Sequence, residues 1–239
     1  MATDRIGAST ASEVWWSAPL PPAREFLALL DDTENQRYQA YRKQADQRRF
    51  LTGRVLAKTV IGGRLGVPAS EVVFDATCED CGKPHGRPTI SCSAEPLELS
   101  ISHSGDRVGL AVTAGAPVGL DVENADRDSI DGLVDYALNE RERAAIDALG
   151  ESARQDAFFV YWARKEALMK ASGQGLRVPL RSLTLSDPGQ PVRLVESGHP
   201  ALRPDTTRLI DLNPGAGYRA SLALLTGGPI DVAERWWTP

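Results

Sequence analysis

One short segment, residues 118–123, alternates strictly between apolar residues and a glycine or an acid. The order is Val118, Gly119, Leu120, Asp121, Val122, Glu123. Because successive side chains of a β-strand point to opposite faces, this alternation predicts a strand that buries its three apolar residues. Both carboxylates then project from the other face of the strand. Whatever fold the chain adopts must accommodate a buried strand with two adjacent negative charges.

A second segment, residues 162–170, has the pattern of a helix. Residues four positions apart share one helical face, so Trp162, Glu166 and Lys170 form a single stripe. If this stripe meets the acidic face of the strand, three carboxylates converge beside a lysine. Such a cluster needs a counter-charge, which is commonly a hard divalent cation. The plainer alternative is an i,i+4 ion pair between Glu166 and Lys170, worth about 0.3–0.5 kcal/mol.

The composition is that of an ordinary globular protein, with 42% hydrophobic and 25% charged residues among 239. This length suits one large domain or two small ones. A formal net charge of −5 gives no indication of nucleic-acid binding. We see no signal peptide and no apolar run approaching the roughly 18 residues of a membrane span. Three cysteines, few and odd in number, favour a reducing cytoplasm.

The N-terminal part predicts helices from about Ala23, from Thr33–Glu34, and from Asp46 to Leu65. The third of these carries cations among its apolar residues: Arg48, Arg49, Arg54 and Lys58. A solvated helix face is the ordinary explanation for such cations. Binding of phosphate is the alternative.

A CxxC pair, Cys78 and Cys81, lies in a loop rich in glycine and proline. A structural zinc site normally takes four ligands, and the chain has no second CxxC and no HxxxH pair. We therefore favour a loop that presents Lys83 and Arg87, and we assign the two cysteines no role.

The segment Leu97–Ser104 predicts a strand, and Val108–Thr113 predicts its partner in a β-hairpin. His103 lies at the end of the first strand, beside the turn. A single histidine is more often structural than functional, so the pattern alone does not decide its role.

A similar hairpin pattern recurs at residues 209–224, after helices predicted at 131–149 and 153–172. The recurrence indicates two related α+β halves, which we divide at residues 1–117 and 118–239. Sites commonly form where two such halves meet. The tail from Ile230 to Pro239 is expected to be peripheral.

Four segments, taken together, resemble the Sfp-type 4′-phosphopantetheinyl transferases, and the likeness runs from about residue 45 to residue 225. The segments are Cys81–Pro84, Ser100–Gly105, Gly119–Glu123 and Trp162–Leu176. The Gly-(Ile/Val)-Asp-(Ile/Val)-Glu and Trp-x-x-Lys-Glu-(Ser/Ala)-x-x-Lys motifs are specific as a pair. The resemblance implies a monomer of two similar α+β halves related by pseudo-two-fold symmetry, with the active site at their interface.

The resemblance also implies a reaction. Coenzyme A is the donor, and a serine hydroxyl of an apo acyl or peptidyl carrier protein is the acceptor. The serine attacks the β-phosphorus of coenzyme A, phosphopantetheine is transferred, and 3′,5′-ADP leaves. Mg²⁺ bridges the pyrophosphate oxygens and offsets their charge. Neither a nucleic acid nor a membrane is expected as a partner.

By the same resemblance, Asp121, Glu123 and Glu166 would be the metal ligands. Glu166, or a metal-bound water beside it, would accept the proton of the serine hydroxyl. Lys165 and Lys170 would contact phosphate. The implied catalytic residues are thus Asp121, Glu166 and Lys170.

The resemblance assigns the remaining contacts to coenzyme A. His103 would bond a pyrophosphate or 3′-phosphate oxygen, and Lys83, Arg49 and Arg54 would hold the nucleotide end. Phe50 stands near where some members have a small hydroxyl residue, so the contact with adenine is left unassigned.

Three other readings remain. A different Mg²⁺-dependent enzyme acting on a nucleotide diphosphate would use the same carboxylates. A non-catalytic coenzyme A or nucleotide-binding module would keep the fold without the reaction. An α+β scaffold would have the same charges as surface ion pairs. The intact set of Asp121, Glu123, Glu166 and Lys170 argues against mere binding, which does not require all four.

Overall fold

The computed structural model describes residues 9–77, 81–83, 86–90, 96–126 and 130–239. The fold is of the α+β class. Over the described residues the helices are α1 (Arg24–Leu27), α2 (Asp32–Ala40), α3 (Gln44–Leu65), α4 (Asp131–Ala137), α5 (Glu140–Asp147) and α6 (Glu151–Ser172). None of these helices has the length and apolar character needed to cross a membrane.

The rest of the regular structure over the described residues consists of strands and four short 3₁₀ helices. The strands in the first half of the sequence are β1 (Thr10–Ser17), β2 (Phe74–Asp75), β3 (Thr89–Ile90), β4 (Leu97–Ser104) and β5 (Arg107–Ala114). They are followed by β6 (Val118–Asn124), β7 (Leu183–Leu185), β8 (Leu194–Ser197), β9 (Arg208–Leu212), β10 (Tyr218–Leu224) and β11 (Ile230–Trp236).

The first large sheet has four strands in the order β11-β1-β5-β4. The predicted hairpin forms its β4–β5 edge, and Gly105 makes the turn with a φ of 53°, in the left-handed region that glycine adopts at little cost. Helix α3 covers this sheet with Leu56 and Ile61, which pack on Leu99 and Leu110. The covered hairpin thus presents the edge strand β4 to the second sheet.

The second large sheet has the order β6-β10-β9 and is antiparallel throughout. The alternation at residues 118–123 correctly predicts β6, whose apolar residues Val118, Leu120 and Val122 are buried. Helix α6 crosses the other face of β6 at Gly119. A Cβ there would lie 2.0 Å from the carbonyl oxygen of Ala167, so only glycine lets the helix approach this closely.

Helices α4 and α5 replace the single helix predicted over residues 131–149. The break falls at Asn139, whose side chain accepts a hydrogen bond from the Glu142 amide while Glu142 accepts one from the Asn139 amide. This reciprocal arrangement is a capping box, and it starts a new helix. The segment 139–142 has the capping asparagine and the early acids typical of a helix N-terminus, so the sequence contains a signal for this break.

The C-terminal tail, which was expected to be peripheral, forms a strand at the edge of its sheet, and none of the residues 230–239 is buried. Strand β11 pairs in parallel with β1, with Thr10 opposite Ile230 and Trp16 opposite Trp236. The indole nitrogen of Trp16 donates a hydrogen bond to Glu234 at 2.8 Å. A local pattern cannot reveal this pairing, because the two strands lie about 220 residues apart in sequence.

Candidate active site

The acidic face of β6 meets the polar stripe of α6. Lys170 Nζ donates to Asp121 Oδ1 at 2.7 Å, to Ser102 Oγ at 2.9 Å and to the carbonyl oxygen of Leu120 at 3.0 Å. An ammonium group has three hydrogens, so these three acceptors satisfy it fully. Lys170 therefore fixes Asp121 and carries one positive charge at the edge of the acidic group.

Glu123 lies one strand repeat further along β6. Trp162 Nε1 donates to its Oε1 at 3.2 Å, and Ser104 Oγ donates to its Oε2 at 3.0 Å. Both carboxylate oxygens are thus held by neighbouring elements, one by α6 and one by β4. The stripe of Trp162, Glu166 and Lys170 is the partly exposed side of α6 here, whereas its neighbours along the helix are buried.

The electrostatics of the site reflect crowded negative charge. Burial raises the pKa of Glu166 to about 7, and repulsion from Asp121 and Glu123 adds to the rise, while Lys170 opposes it. Burial also raises the pKa of Asp121, against the effects of Lys170 and Ser102. One lysine therefore does not offset three carboxylates, and the site favours an additional cation.

We tested whether these residues fit a divalent metal ion. Over the part of the chain that the structure describes, no group of three or more His, Cys, Asp or Glu side chains is arranged to hold a metal by itself. The predicted three-carboxylate site is therefore not preassembled. One atom does point to a missing ligand, because Asp121 Oδ2 is buried without a hydrogen-bond partner among the described residues. Mg²⁺ usually takes one or two carboxylates together with substrate phosphates, and these residues fit that mode.

A cationic rim borders the acidic site at the β4–β5 turn. Arg49 of α3 donates to the carbonyl oxygen of Gly105 at 3.1 Å and pairs with Asp46. His103 lies beside it with an accessible ring. The packed protein around the ring lowers the pKa of His103, and the positive charges of Arg49 and Lys170 lower it further. Arg49 and Lys170 therefore create a positive potential next to the carboxylates, and the imidazole of His103 lies beside them.

A cavity of about 390 Å³ opens between α2, α3 and β2. The guanidinium of Arg54 stacks over Phe50 at 5.3 Å and over Phe74 at 5.5 Å, and it pairs with Glu34 at 3.4 Å. Its Nε and Nη1 atoms are buried without a hydrogen-bond partner among the described residues. Arg37 also lines the cavity. Nε faces the Glu34 carboxylate, and the buried Nη1, which makes no hydrogen bond among the described residues, marks a place for an anion.

The cations of α3 are thus not explained by a solvated helix face. Arg54 and Lys58 are buried, and Lys58 pairs with the buried Glu34 at 2.9 Å. Arg48 donates to the backbone carbonyls of Pro19 and Leu20 and has a structural role. Of the two arginines predicted to hold coenzyme A, Arg49 lies at the cationic rim and Arg54 lies in the cavity.

Comparisons with known proteins bear on this geometry. Residues 117–223 match the 4′-phosphopantetheinyl transferase superfamily, and residues 15–115 match the family described as 4′-phosphopantetheinyl transferase, N-terminal. The 4′-phosphopantetheinyl transferase HetI of Nostoc sp. is 31% identical over 166 residues, which cover 67% of this chain and 68% of HetI. The chain belongs to the 4′-phosphopantetheinyl transferase family. The resemblance read from the four sequence segments is confirmed.

Another family member, the 4′-phosphopantetheinyl transferase psf-1 of Bacillus pumilus, is 35% identical over 168 residues. The match covers 68% of this chain and 63% of psf-1, so the chain spans just under two thirds of that relative. Among solved structures, the holo-acyl-carrier-protein synthase of Thermotoga maritima covers 46% of this chain and is itself covered to 62%. It has a TM-score of 0.36 and 18% sequence identity.

The phosphate contact predicted for Lys165 in this family member is wrong. Lys165 is fully buried, and its Nζ bonds Glu142 and the carbonyl oxygens of Ala137, Leu180 and Leu183. A helix turns by about 100° per residue, so Lys165 leaves α6 on a different face from Glu166. Its partners lie beneath the helix, away from the acidic site.

Lys83 lies in the short described segment 81–83 and is exposed. Within the described ranges it makes no hydrogen bond or ion pair with the carboxylates, and its predicted role stays a prediction. Cys81 is exposed. Its CxxC partner Cys78, together with Pro84 of the Gly-Lys-Pro motif, lies outside the described residues.

Sequence reasoning missed three groups at the site. Ser102 and Ser104 contact the two strand carboxylates, and Arg37 lines the cavity beside Arg54. The signal for the serines was present as Ser100, Ser102 and Ser104, spaced two residues apart on one strand face. Their contact with β6 depends on how the two sheets meet, which the spacing alone does not give.

Proposed function

We propose that this protein transfers the 4′-phosphopantetheine group from coenzyme A to a serine hydroxyl of an apo acyl or peptidyl carrier protein, releasing 3′,5′-ADP. The observation that carries the proposal is the junction of β6 and α6. There Asp121, Glu123 and Glu166 cluster beside Lys170, next to the cation Arg49 and the imidazole of His103. Membership of the family supports the same reaction.

Asp121, Glu123 and Glu166 would hold a Mg²⁺ ion, which when bound supplies positive charge for the pyrophosphate oxygens. The unpartnered Asp121 Oδ2 supports this assignment. During transfer a bond forms between the serine oxygen and the β-phosphorus, and the bond from that phosphorus to the 3′,5′-ADP oxygen breaks. Catalysis of this kind consists mainly of positioning and neutralisation of charge.

Glu166 is our candidate for the group that takes the proton of the serine hydroxyl. General bases work best when their pKa lies near the working pH, and the raised pKa of Glu166, about 7, meets that condition. Lys170 fixes Asp121 and supplies charge. It acts on phosphate through electrostatic attraction, since its three hydrogens already have acceptors.

The nucleotide end of coenzyme A would occupy the cationic side of the site. Arg49 and His103 would meet the pyrophosphate, and Arg54 would direct its Nη1 at a phosphate in the cavity. His103 with a lowered pKa is neutral at pH 7 and offers a hydrogen bond rather than a charge. Lys83, exposed on its loop, is available for the same end of the substrate.

We further propose two pseudo-symmetric halves, residues 1–117 and 118–239, with the site between them. Support comes from the repeated arrangement of a hairpin covered by one long helix. Strands β4 and β5 pack under α3, and β10, which pairs with β9 in the second hairpin, packs under α6. A monomer in the cytoplasm is the state that best agrees with the family resemblance and the few cysteines.

Intact-mass spectrometry tests the reaction. An apo carrier protein incubated with this protein, coenzyme A and Mg²⁺ is expected to gain the mass of one phosphopantetheine, and the gain should require both additions. Asp121→Ala should abolish it. Asp205→Ala is the control, because Asp205 is an exposed carboxylate in a surface ion pair with Arg203. Retained transfer in the double variant Asp121→Ala, Glu166→Ala would refute the assigned site.

The same assay separates the alternatives. Binding of coenzyme A without any gain of mass across acyl and peptidyl carriers would favour a non-catalytic binding module. A small free product formed from coenzyme A without a carrier would favour a different Mg²⁺-dependent enzyme.

A further inference from the structure

Strands β4 and β6 meet in an unusual way. Each is the edge strand of a different sheet, yet the two lie side by side. Alternate amides of β6 point away from β10 and towards β4, where they donate to serine hydroxyls rather than to backbone carbonyls. The pairs are Leu120 N to Ser100 Oγ at 3.0 Å, Val122 N to Ser102 Oγ at 3.2 Å, and Asn124 N to Ser104 Oγ at 3.0 Å. We call Ser100, Ser102 and Ser104 the serine ladder.

The three serines differ in the acceptor to which their hydroxyl groups donate a hydrogen bond. Ser102 donates to Asp121 Oδ1 at 3.0 Å, and Ser104 donates to Glu123 Oε2 at 3.0 Å. In each case the serine accepts a hydrogen bond from one β6 amide and donates to the carboxylate of the residue that precedes this amide in sequence. Gly119 occupies the equivalent position opposite Ser100 and has no side chain. The ladder therefore repeats three times, and two of its three steps end on a carboxylate.

A hydroxyl group has one hydrogen and two lone pairs. The β6 amide occupies one lone pair, which limits the directions left to the hydrogen. In Ser102 the ammonium of Lys170 occupies the other lone pair, so the hydroxyl is fully bonded and its hydrogen is directed at Asp121. The backbone of β6 thus orients each hydroxyl, and the hydroxyl in turn restrains the carboxylate.

We propose that Ser102 and Ser104 are positioning residues that set the carboxylate orientations of Asp121 and Glu123 for a divalent cation, whereas Ser100 serves only to join the two sheets. This inference rests on the proposed function, because it takes these carboxylates to be cation ligands. Ser102 bonds one oxygen of Asp121 and leaves buried Oδ2 without a partner among the described residues. Groups that hydrogen-bond metal ligands commonly orient them in this manner.

The chain provides a matched control. Ser100, Ser102 and Ser104 are 6%, 5% and 8% exposed, and each accepts one β6 amide. Substitution of any of them by alanine leaves one buried amide without an acceptor, which destabilises the fold to a similar extent. Only substitutions at 102 and 104 also release a carboxylate. A purely structural ladder would make all three variants behave alike.

The experiment measures Mn²⁺ binding by electron paramagnetic resonance, with coenzyme A present, for the full chain and its Ser100→Ala, Ser102→Ala and Ser104→Ala variants. Melting temperatures are recorded in parallel. We expect all three variants to melt lower than the wild type by similar amounts. Ser102→Ala and Ser104→Ala should weaken Mn²⁺ binding by about tenfold or more, the usual cost of losing such a partner. Ser100→Ala should stay within about twofold of the wild type, and Ser104→Thr, which restores a hydroxyl, should recover most of the affinity.

Equal Mn²⁺ affinities in the Ser100→Ala and Ser104→Ala variants would overturn the inference, as would a wild-type protein that binds no Mn²⁺. If an alanine variant does not fold, the Ser104→Cys and Ser100→Cys variants are compared instead. A thiol has a similar shape to the hydroxyl but is only a weak hydrogen-bond donor. Carrier modification is measured on the same samples. A wild type that binds Mn²⁺ but modifies no carrier would refute the proposed function, while the affinities of the variants would still decide the role of the serines.

Discussion

Substitution of Lys165 by methionine separates the two roles that this lysine has been given. As a phosphate contact it would affect binding of coenzyme A, and as a buried cation it affects folding. Its Nζ bonds Glu142 and three carbonyl oxygens, at 2.8 Å to Ala137, 2.9 Å to Leu180 and 3.0 Å to Leu183. Methionine keeps the unbranched stem and its packing but cannot make any of these bonds.

The expected magnitude follows from burial of the pair, since neither Lys165 nor Glu142 is exposed. Removing one partner of a buried ion pair typically costs about 3–5 kcal/mol of folding free energy, because the other charge is left without compensation. Glu142 keeps hydrogen bonds from the amides of Asn139 and Leu185, so it does not lose all its partners. For a chain of this size each kcal/mol shifts the melting temperature by about 2–4 °C, so Lys165→Met should melt roughly 6–20 °C lower.

The assay is urea unfolding together with the KM for coenzyme A, and Lys170→Met is the matched comparison on the same helix. Lys170 is 32% exposed at its side chain, and its partner Asp121 can take up a proton when the lysine is lost. Lys170→Met should therefore lose transfer activity at a stability cost of about 1–2 kcal/mol. A Lys165→Met variant with wild-type stability and a raised KM would refute the reasoning and restore the phosphate contact.

Three further outcomes are expected. In the folded protein the pKa of Glu166 is raised from its ordinary value of 4.5 to about 7. Ionisation of this carboxyl therefore destabilises the folded state as the pH rises from 4.5 to about 7. Glu166→Gln should raise the free energy of unfolding at pH 8 by about 1–2 kcal/mol, discounted for the partial exposure of the group, with no gain at pH 4 and with transfer abolished. If Glu166→Gln changed the free energy of unfolding equally at pH 4 and pH 8, the raised pKa of Glu166 would be contradicted. Arg54→Gln should raise the KM for coenzyme A about tenfold or more, because a hydrogen bond to a charged group contributes about 1.5–3 kcal/mol to binding. An unchanged KM would exclude the cavity as a phosphate site. In Gly105→Ala a Cβ would lie 2.5 Å from the Tyr218 hydroxyl at a φ of 53°, so we expect lower thermal stability and weaker binding of coenzyme A, whereas Tyr218→Phe in the same background should recover part of the stability.

Local periodicity predicted the elements that form the site. The alternation at residues 118–123 predicted β6, and the i,i+4 stripe of Trp162, Glu166 and Lys170 correctly identified the face of α6 that meets it. Both patterns are dictated by backbone geometry within one element, and a sequence displays such geometry directly. The family resemblance rested on four segments, and the motifs in these two are specific as a pair.

Contacts between distant elements could not be predicted in this way. The family resemblance implied a phosphate contact for Lys165, but its buried partner Glu142 lies on another helix. The cations of α3 suggested a solvated helix face, although Arg54 and Lys58 are buried and form ion pairs with Glu34 of α2. In each case a charge that looks exposed in the sequence is neutralised by an opposite charge that only the tertiary fold brings near.

The parallel pairing of β1 with β11 has a consequence for how the protein is made. The strand at Thr10 is synthesised about 220 residues before the strand that completes its sheet at Ile230. Until then β1 can pair with β5 but leaves its other edge open, and an open edge is a template for pairing with other chains. Closure over such a long separation in sequence also slows folding. The nascent chain is therefore most prone to aggregation while its last strand is still in the ribosome, and a chaperone that shields the β1 edge should raise the yield of folded protein.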